Sequence, residues 1–267
     1  MKSPQRVLIT GAGSGLGQAL AHRFAAVGAQ VACVDIHLDR VQATMATLTG
    51  EGHAAYAADV GSDDAMDALA ESVLANWGVP DVLINNAGIA SGGDVLEAPI
   101  SEWRHLWEVN VLSVVRGTKL FLPAMLERGS GHVVSTASFA GLAGAPGLMT
   151  YGVSKAAVVA FSEQLRAECH GTGIAVSVIC PAFFKTNLMQ STVGTEKIKH
   201  LGQKMMDRSP DSLDQVADRI FADINKRRFL ILPTKREPML WRLKRFLPER
   251  YFKELMKLSR NMTLGAH

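Results

Sequence analysis

Tyr151 and Lys155 stand four residues apart in Tyr151-Gly-Val-Ser-Lys155, a spacing that puts both side chains on one face of a helix. A tyrosine with its ordinary pKa near 10 is a poor base at neutral pH unless its anion is stabilised. A neighbouring ammonium stabilises it, because an opposite charge favours the phenolate. Such a pair can take a proton from a hydroxyl group, provided that another partner accepts the hydride leaving the adjoining carbon. Ser138 follows the strand-like run 131–137, where its hydroxyl would hold a substrate oxygen near the phenol. Asn110 falls within a long helical pattern, against its propensity, which favours a special role over a solvent-facing one. Taken singly, these residues read as an amphipathic pair, a strand-end cap and a surface amide; only their combination with a cofactor site argues for chemistry.

That site is legible near the N-terminus. An apolar strand runs into Thr10-Gly-Ala-Gly-Ser-Gly-Leu-Gly17, and a helix begins inside the loop. The unpaired N–H groups and helix dipole of Gly11, Gly13, Ser14, Gly15, Leu16 and Gly17 face whatever docks there, and a pyrophosphate fits. The glycines do not match the GxGxxG register, and a lone glycine-rich turn is weak evidence. Asp35 adds to it by closing the second strand, where a carboxylate can accept from adenosine ribose hydroxyls. It would also repel a 2′-phosphate, by roughly 1 to 4 kcal/mol at about 4 Å. Residues 11–17 hold no Lys or Arg and Ile36 follows Asp35 directly, so NAD is expected over NADP. Arg40 is the counter-evidence, since it could reach the same region.

These residues need a scaffold. Short β-branched runs at 6–10, 30–36, 53–58, 81–85, 131–137, 174–180 and 229–232 alternate with helical patterns at 15–27, 38–49, 62–77, 101–127, 150–171 and 211–225. This is the pattern of βαβ units. It predicts one α/β domain over 1–234, a doubly wound, Rossmann-type parallel sheet of about seven strands with helices on both faces. A helical tail over 235–267 follows. Segment 182–210 fits neither strand nor helix, and loops of that length are usually functional lids or disordered.

The Thr10–Gly17 loop in a TGxxxGxG register, Asn85-Asn-Ala-Gly88, Asn110, Ser138 and Tyr151-Gly-Val-Ser-Lys155, in this order and spacing, together resemble the short-chain dehydrogenase/reductase family over about residues 6–232. The resemblance implies that Asp59 and Val60 border an adenine, that Asn86, Ala87 and Gly88 line the cofactor cleft, and that Pro181 and Thr186 flank the nicotinamide carboxamide. It implies that Asn110 holds a water linking Lys155 to solvent, that Lys155 also holds the nicotinamide ribose, and that the chain forms a homodimer or homotetramer. Helices 101–127 and 150–171 are the candidate interfaces. Ala182 departs from the glycine common after the proline, without removing a reacting group. The expected activity is hydride transfer between NAD(H) and an alcohol or ketone. The alternatives are an NADPH-dependent 3-oxoacyl reductase and a non-catalytic NAD-binding sensor or scaffold.

On the substrate side, Phe139, Leu142, Ala143, Pro146, Leu148 and Met149 follow Ser138, and Phe183, Phe184, Leu188 and Met189 open the long loop. An apolar wall with few polar groups suits a lipophilic substrate such as a steroid, a retinoid-like alcohol or an acyl chain; the bland alternative is that half of these residues merely pack. Lys185, Lys197 and Lys199 would meet an anionic carrier group or stay solvated. The eight histidines show no metal-ligand spacing, so no catalytic metal is expected. No Gly-x-Ser-x-Gly elbow supports a hydrolase. Cys33, Cys169 and Cys180 lack CxxC spacing and read as buried thiols of a cytoplasmic protein. No pattern of an export signal or membrane span is evident, and a net charge of +3 argues against nucleic acid. That charge is uneven: the tail holds nine Lys/Arg and three Glu. The tail predicts two amphipathic helices broken at Pro248, either packed on the body or a neighbouring subunit, or in peripheral contact with a membrane.

Overall fold

The computed structural model describes residues 5–184, 206, 207 and 209–264. β1 (Arg6–Thr10), β2 (Gln30–Asp35), β3 (Ala54–Ala57), β4 (Val82–Asn85), β5 (Gly131–Thr136), β6 (Ile174–Ile179) and β7 (Leu230–Ile231) form one sheet in the order β3-β2-β1-β4-β5-β6-β7. Every pairing is parallel. Parallel strands need crossovers, and these are helices: α1 (Gly15–Ala26), α2 (Leu38–Ala46), α3 (Asp63–Asn76), α4 (Ile100–Trp107), α5 (Ser113–Arg128), α6 (Ala140–Ala143), α7 (Met149–Glu168) and α8 (Leu213–Asn225). Helices cover both faces, so the central strands are apolar throughout; Val7, Leu8 and Ile9 are all fully buried. One face packs Phe24 of α1 and Ile220 of α8 on Ile9, Ile84 and Val134. The other packs Met66, Phe121 and Leu165 on Leu8, Leu83 and Val133.

The predicted architecture is present, with element ends shifted by a few residues. The predicted 101–127 helix is in fact three segments, because a π-turn at Glu108–Leu112 separates α4 from α5. By length and composition Ile100–Arg128 is apolar enough to cross a membrane. Here it lies against the sheet, and Arg116 on it pairs with Asp63 and with Glu108 at 2.7 Å. Two tail helices, α9 (Glu237–Phe246) and α10 (Pro248–Leu264), meet at Pro248 as predicted. Leu240 and Trp241 pack on the body, whereas Leu247 is half exposed, and Tyr251 is buried beside an exposed Phe252.

Candidate active site

The strand order reverses between β1 and β4, where the helices after them go to opposite faces and leave a crevice at the carboxyl ends. Thr10 ties these two ends together. Its Oγ1 accepts from the N–H of Asn86 at 2.9 Å and of Ala87 at 3.0 Å, while Asn86 Nδ2 donates to the Thr10 carbonyl at 3.0 Å.

The loop from Gly11 to Gly17 closes one side of the crevice, and two of its glycines are sterically required. A Cβ on Gly17 would lie 2.2 Å from the Gly11 carbonyl oxygen, and one on Gly13 would lie 2.9 Å from Asp35 Oδ2 and 2.7 Å from Arg40 Cβ. Ser14 starts α1 without capping it through its side chain, and the first turn carries no acidic residue. Its amide donors and dipole are therefore left for an anion. Asp35 Oδ2 accepts the Gly13 N–H at 3.2 Å and Oδ1 accepts that of His37 at 3.2 Å. Ile36 is mostly exposed beside it. Asp59 Oδ1 accepts the Gly61 N–H at 2.8 Å and Val60 is buried, forming the β3 side of the crevice. Glycines that admit no Cβ, an uncapped helix start and a carboxylate at the end of β2 fit a dinucleotide.

β5 and α7 bring Ser138, Tyr151 and Lys155 together. The Tyr151 phenol lies close enough to the Ser138 side chain to feel its electrostatic influence. The Lys155 ammonium lies 5.9 Å from the centre of the Tyr151 ring and donates to the Thr136 carbonyl at 2.9 Å. A Cβ on Gly88 would lie 3.1 Å from Lys155 Nζ and 2.9 Å from Asn110 Oδ1, so this glycine keeps the crevice open beside both. Burial pushes the Tyr151 phenol above its usual pKa, against the opposing effect of the Ser138 side chain. Burial also lowers Lys155 to about 8. Cys180, next to Lys155, is pushed up to about 12 by burial and stays a thiol.

Asn110 is fully buried in the π-turn. Its Oδ1 accepts the Ile89 N–H at 2.9 Å, and its Nδ2 donates to the Ile89 carbonyl at 2.9 Å and to Ser154 Oγ at 3.1 Å. Ser154 in turn donates to the Tyr151 carbonyl at 2.8 Å. Both side-chain donors of Asn110 are thus committed to holding the segment after β4 against α7. Of the predicted apolar wall, Phe139, Leu142, Ala143 and Phe184 belong to the packed core. Pro146, Leu148, Met149 and Phe183 are more accessible. Pro181 accepts from Ser138 Oγ at 3.3 Å. Thr186, Lys185, Leu188, Met189, Lys197 and Lys199 lie outside the described residues.

Sequence reasoning missed Glu102. Its Oε1 accepts from Ser91 Oγ at 2.6 Å and from Thr150 Oγ1 at 2.9 Å, and both hydroxyl residues are buried. The Gly93 N–H donates to the Gly147 carbonyl at 2.9 Å, and the Met149 N–H returns to the Gly93 carbonyl at 3.2 Å. This carboxylate and two main-chain bonds pin the loop after β4 to the start of α7, one residue from Tyr151. A glutamate in the first turn of an amphipathic helix looks ordinary in sequence, so no local signal singles it out.

A doubly wound parallel sheet thus sets a Tyr–Lys pair beside a glycine loop whose amide donors face an open crevice. Residues 5–197 match the short chain dehydrogenase family, and the chain belongs to it. Probable oxidoreductase EphD of Mycobacterium tuberculosis is 36% identical over 255 residues, covering 91% of this chain and 43% of that protein. The chain therefore spans less than half the length of this relative. A short chain dehydrogenase/reductase from Burkholderia phymatum, solved in complex with NAD, superposes with a TM-score of 0.84 at 30% identity, covering 91% of this chain and 93% of that one. The closed form of serine dehydrogenase complexed with NADP+ superposes with a TM-score of 0.75 at 28% identity, over 82% of this chain and 88% of that one.

Proposed function

We propose that the protein transfers hydride between NAD(H) and a lipophilic secondary alcohol or ketone, with Tyr151 as the general acid and base. The observation that carries this reading is the convergence of Tyr151, Ser138 and Lys155 at the crevice that the glycine loop borders. Gly11 to Gly17 would hold the pyrophosphate, Asp35 the adenosine ribose, Asp59 and Val60 the adenine, and Asn86 to Gly88 the cleft wall. Pro181 and Thr186 would flank the nicotinamide, whose ring supplies the hydride chemistry when bound. Ser138 donates a hydrogen bond to the substrate oxygen and holds it at the phenol. Tyr151 takes the hydroxyl proton in oxidation and returns one to the carbonyl oxygen in reduction. Lys155 stabilises the phenolate by its charge and holds the nicotinamide ribose. Asn110 keeps the Ile89 segment and Tyr151 in register through Ser154.

Tyr151→Phe is expected to lower kcat by roughly 10²- to 10⁴-fold while NAD binding stays nearly unchanged. Stopped-flow turnover over a panel of lipophilic alcohols, with NAD titrated calorimetrically, checks both; retention of most of kcat would exclude Tyr151 as the base. A second reading, an NADPH-dependent 3-oxoacyl reductase, draws support from Arg40, whose Cβ stands at the lip of the loop beside Gly13. The carboxylate of Asp35 between them favours NAD. Half-exposed Trp107, Leu126 and Val153 on the long helices favour assembly as a homodimer or homotetramer.

A further inference from the structure

Among the described residues, the tail helices carry two sets of apolar side chains, one covered and one exposed. Leu240 and Trp241 pack on the cluster that contains Phe139, Leu142 and Val158. Tyr251 is 5% exposed. Lys244 Nζ donates to the Leu142 carbonyl near the end of α6, fixing α9 beside the segment that follows Ser138. These contacts satisfy the inner faces. On the outside, Met239, Phe246, Leu247 and Phe252 are 68, 73, 50 and 54% exposed.

Charge accompanies this outer set. Met239, Arg242 and Phe246 follow one another at three- and four-residue intervals, along one side of α9. On α10, Phe252 and Met256 share a shallow hollow with Arg250, Lys253, Glu254 and Lys257. With nine Lys/Arg and three Glu, residues 235–267 carry a net +6, whereas the rest of the chain carries −3. A second copy would bring +6 against +6 on this face. A soluble polyanion needs the cations and not the exposed rings. A layer with anionic heads over an apolar interior matches both.

We propose that the outer faces of α9 and α10 dock on an anionic phospholipid surface. Phe246 and Phe252 enter the boundary between headgroups and acyl chains, and Arg242, Arg250 and Lys253 meet the headgroups. Since α9 lies against α6, docking sets the Ser138 side of the crevice near the bilayer. The further step, that a lipophilic substrate then enters from the membrane, rests on the activity proposed above; the docking itself does not.

The full chain is mixed with vesicles of phosphatidylcholine alone, or of phosphatidylcholine with phosphatidylserine, at low and high salt, and bound protein is measured by co-sedimentation. Binding is expected on phosphatidylserine vesicles at low salt, weakening as salt rises. Arg242→Gln with Arg250→Gln should lower the partition coefficient about 25-fold, at about fivefold for each basic residue. Phe246→Ser with Phe252→Ser should lower it at least about tenfold. These positions are exposed, so thermal unfolding should match the parent chain; the two-vesicle comparison on the parent chain stands whatever the variants do. Indifference to phosphatidylserine, or variants that bind like the parent, overturns the proposal. Self-association that disappears in the Phe246/Phe252 variant overturns it too, because a second copy would then cover the face.

Discussion

Lys155 is a buried cation that donates a hydrogen bond to the Thr136 carbonyl, and its cost is readable as pH dependence. Its ordinary pKa of 10.5 falls to about 8 on burial. Below about 8 both the folded and unfolded chains hold the proton, and the desolvation penalty is felt in full. Between about 8 and 10.5 the unfolded chain holds a proton that the folded chain has released, so stability rises with pH. The stability of the parent chain relative to Lys155→Met should therefore rise by up to about 3 kcal/mol across that window. Urea unfolding of both proteins at several pH values measures it; a difference that stays flat would mean that Lys155 is not desolvated. The same substitution should abolish turnover and weaken NAD binding. Asp35 makes a separate prediction. Removing its carboxylate by Asp35→Ala should narrow or reverse the proposed NAD preference by about fivefold or more in kcat/KM, from a repulsion of roughly 1 to 4 kcal/mol. A parent chain that prefers NADP would place Arg40 in control of the pocket.

At the scale of elements, the proposed chemistry depends on how α7 starts. Met149 to Lys155 form its first two turns, and Glu102 of α4 binds Thr150 within them while also holding Ser91. An ionised acceptor makes such bonds stronger than neutral ones, and small misplacements of reacting groups are costly in rate. Glu102→Ala is expected to lower kcat about tenfold with little change in NAD affinity, because the loop after β4 and Tyr151 lose their common anchor. Glu102→Gln keeps an acceptor oxygen and should recover most of the rate. Equal losses in both variants, accompanied by equal losses of thermal stability, would reduce Glu102 to a packing role. The π-turn at Glu108–Leu112 serves the same end: it seats Asn110 facing Ile89 and Ser154, between α4 and α5.

For the molecule as a whole, the tail is part of the packed body on its inner side and a free surface on its outer side. Trp241 closes the cluster over α6 and α7. Trp241→Ala should destabilise the fold by about 2 kcal/mol, below the usual cost for a fully buried Trp because this ring is only partly covered. The melting temperature, followed by circular dichroism, checks this. An unchanged value would mean that α9 is docked only loosely. The candidate crevice lies at the carboxyl ends of the strands where the sheet order reverses, as expected for an open parallel sheet. α9 sits beside its Ser138 side through Lys244 and Leu142. The fold therefore joins the active site and the basic surface through one short helix.

The strands, the glycine loop and the Tyr151–Lys155 pair were readable in the sequence because each obeys a local rule. Buried parallel strands are continuous apolar runs, Gly13 and Gly17 lie where a Cβ would strike Asp35 or Gly11, and a four-residue interval on a helix sets two side chains side by side. The bond from Thr10 to Asn86 spans 76 residues, and the bond from Thr150 to Glu102 spans 48. Such partners become neighbours only once the strand order is fixed, and no periodicity encodes that order. The π-turn was missed because an extra residue in a turn leaves the apolar pattern of Ile100–Arg128 nearly intact. In the tail, periodicity detected the helices but not which side would be covered. Two apolar stripes are present, and the contact of Leu240 and Trp241 with the cluster beneath them decides that Met239, Phe246 and Phe252 face outward.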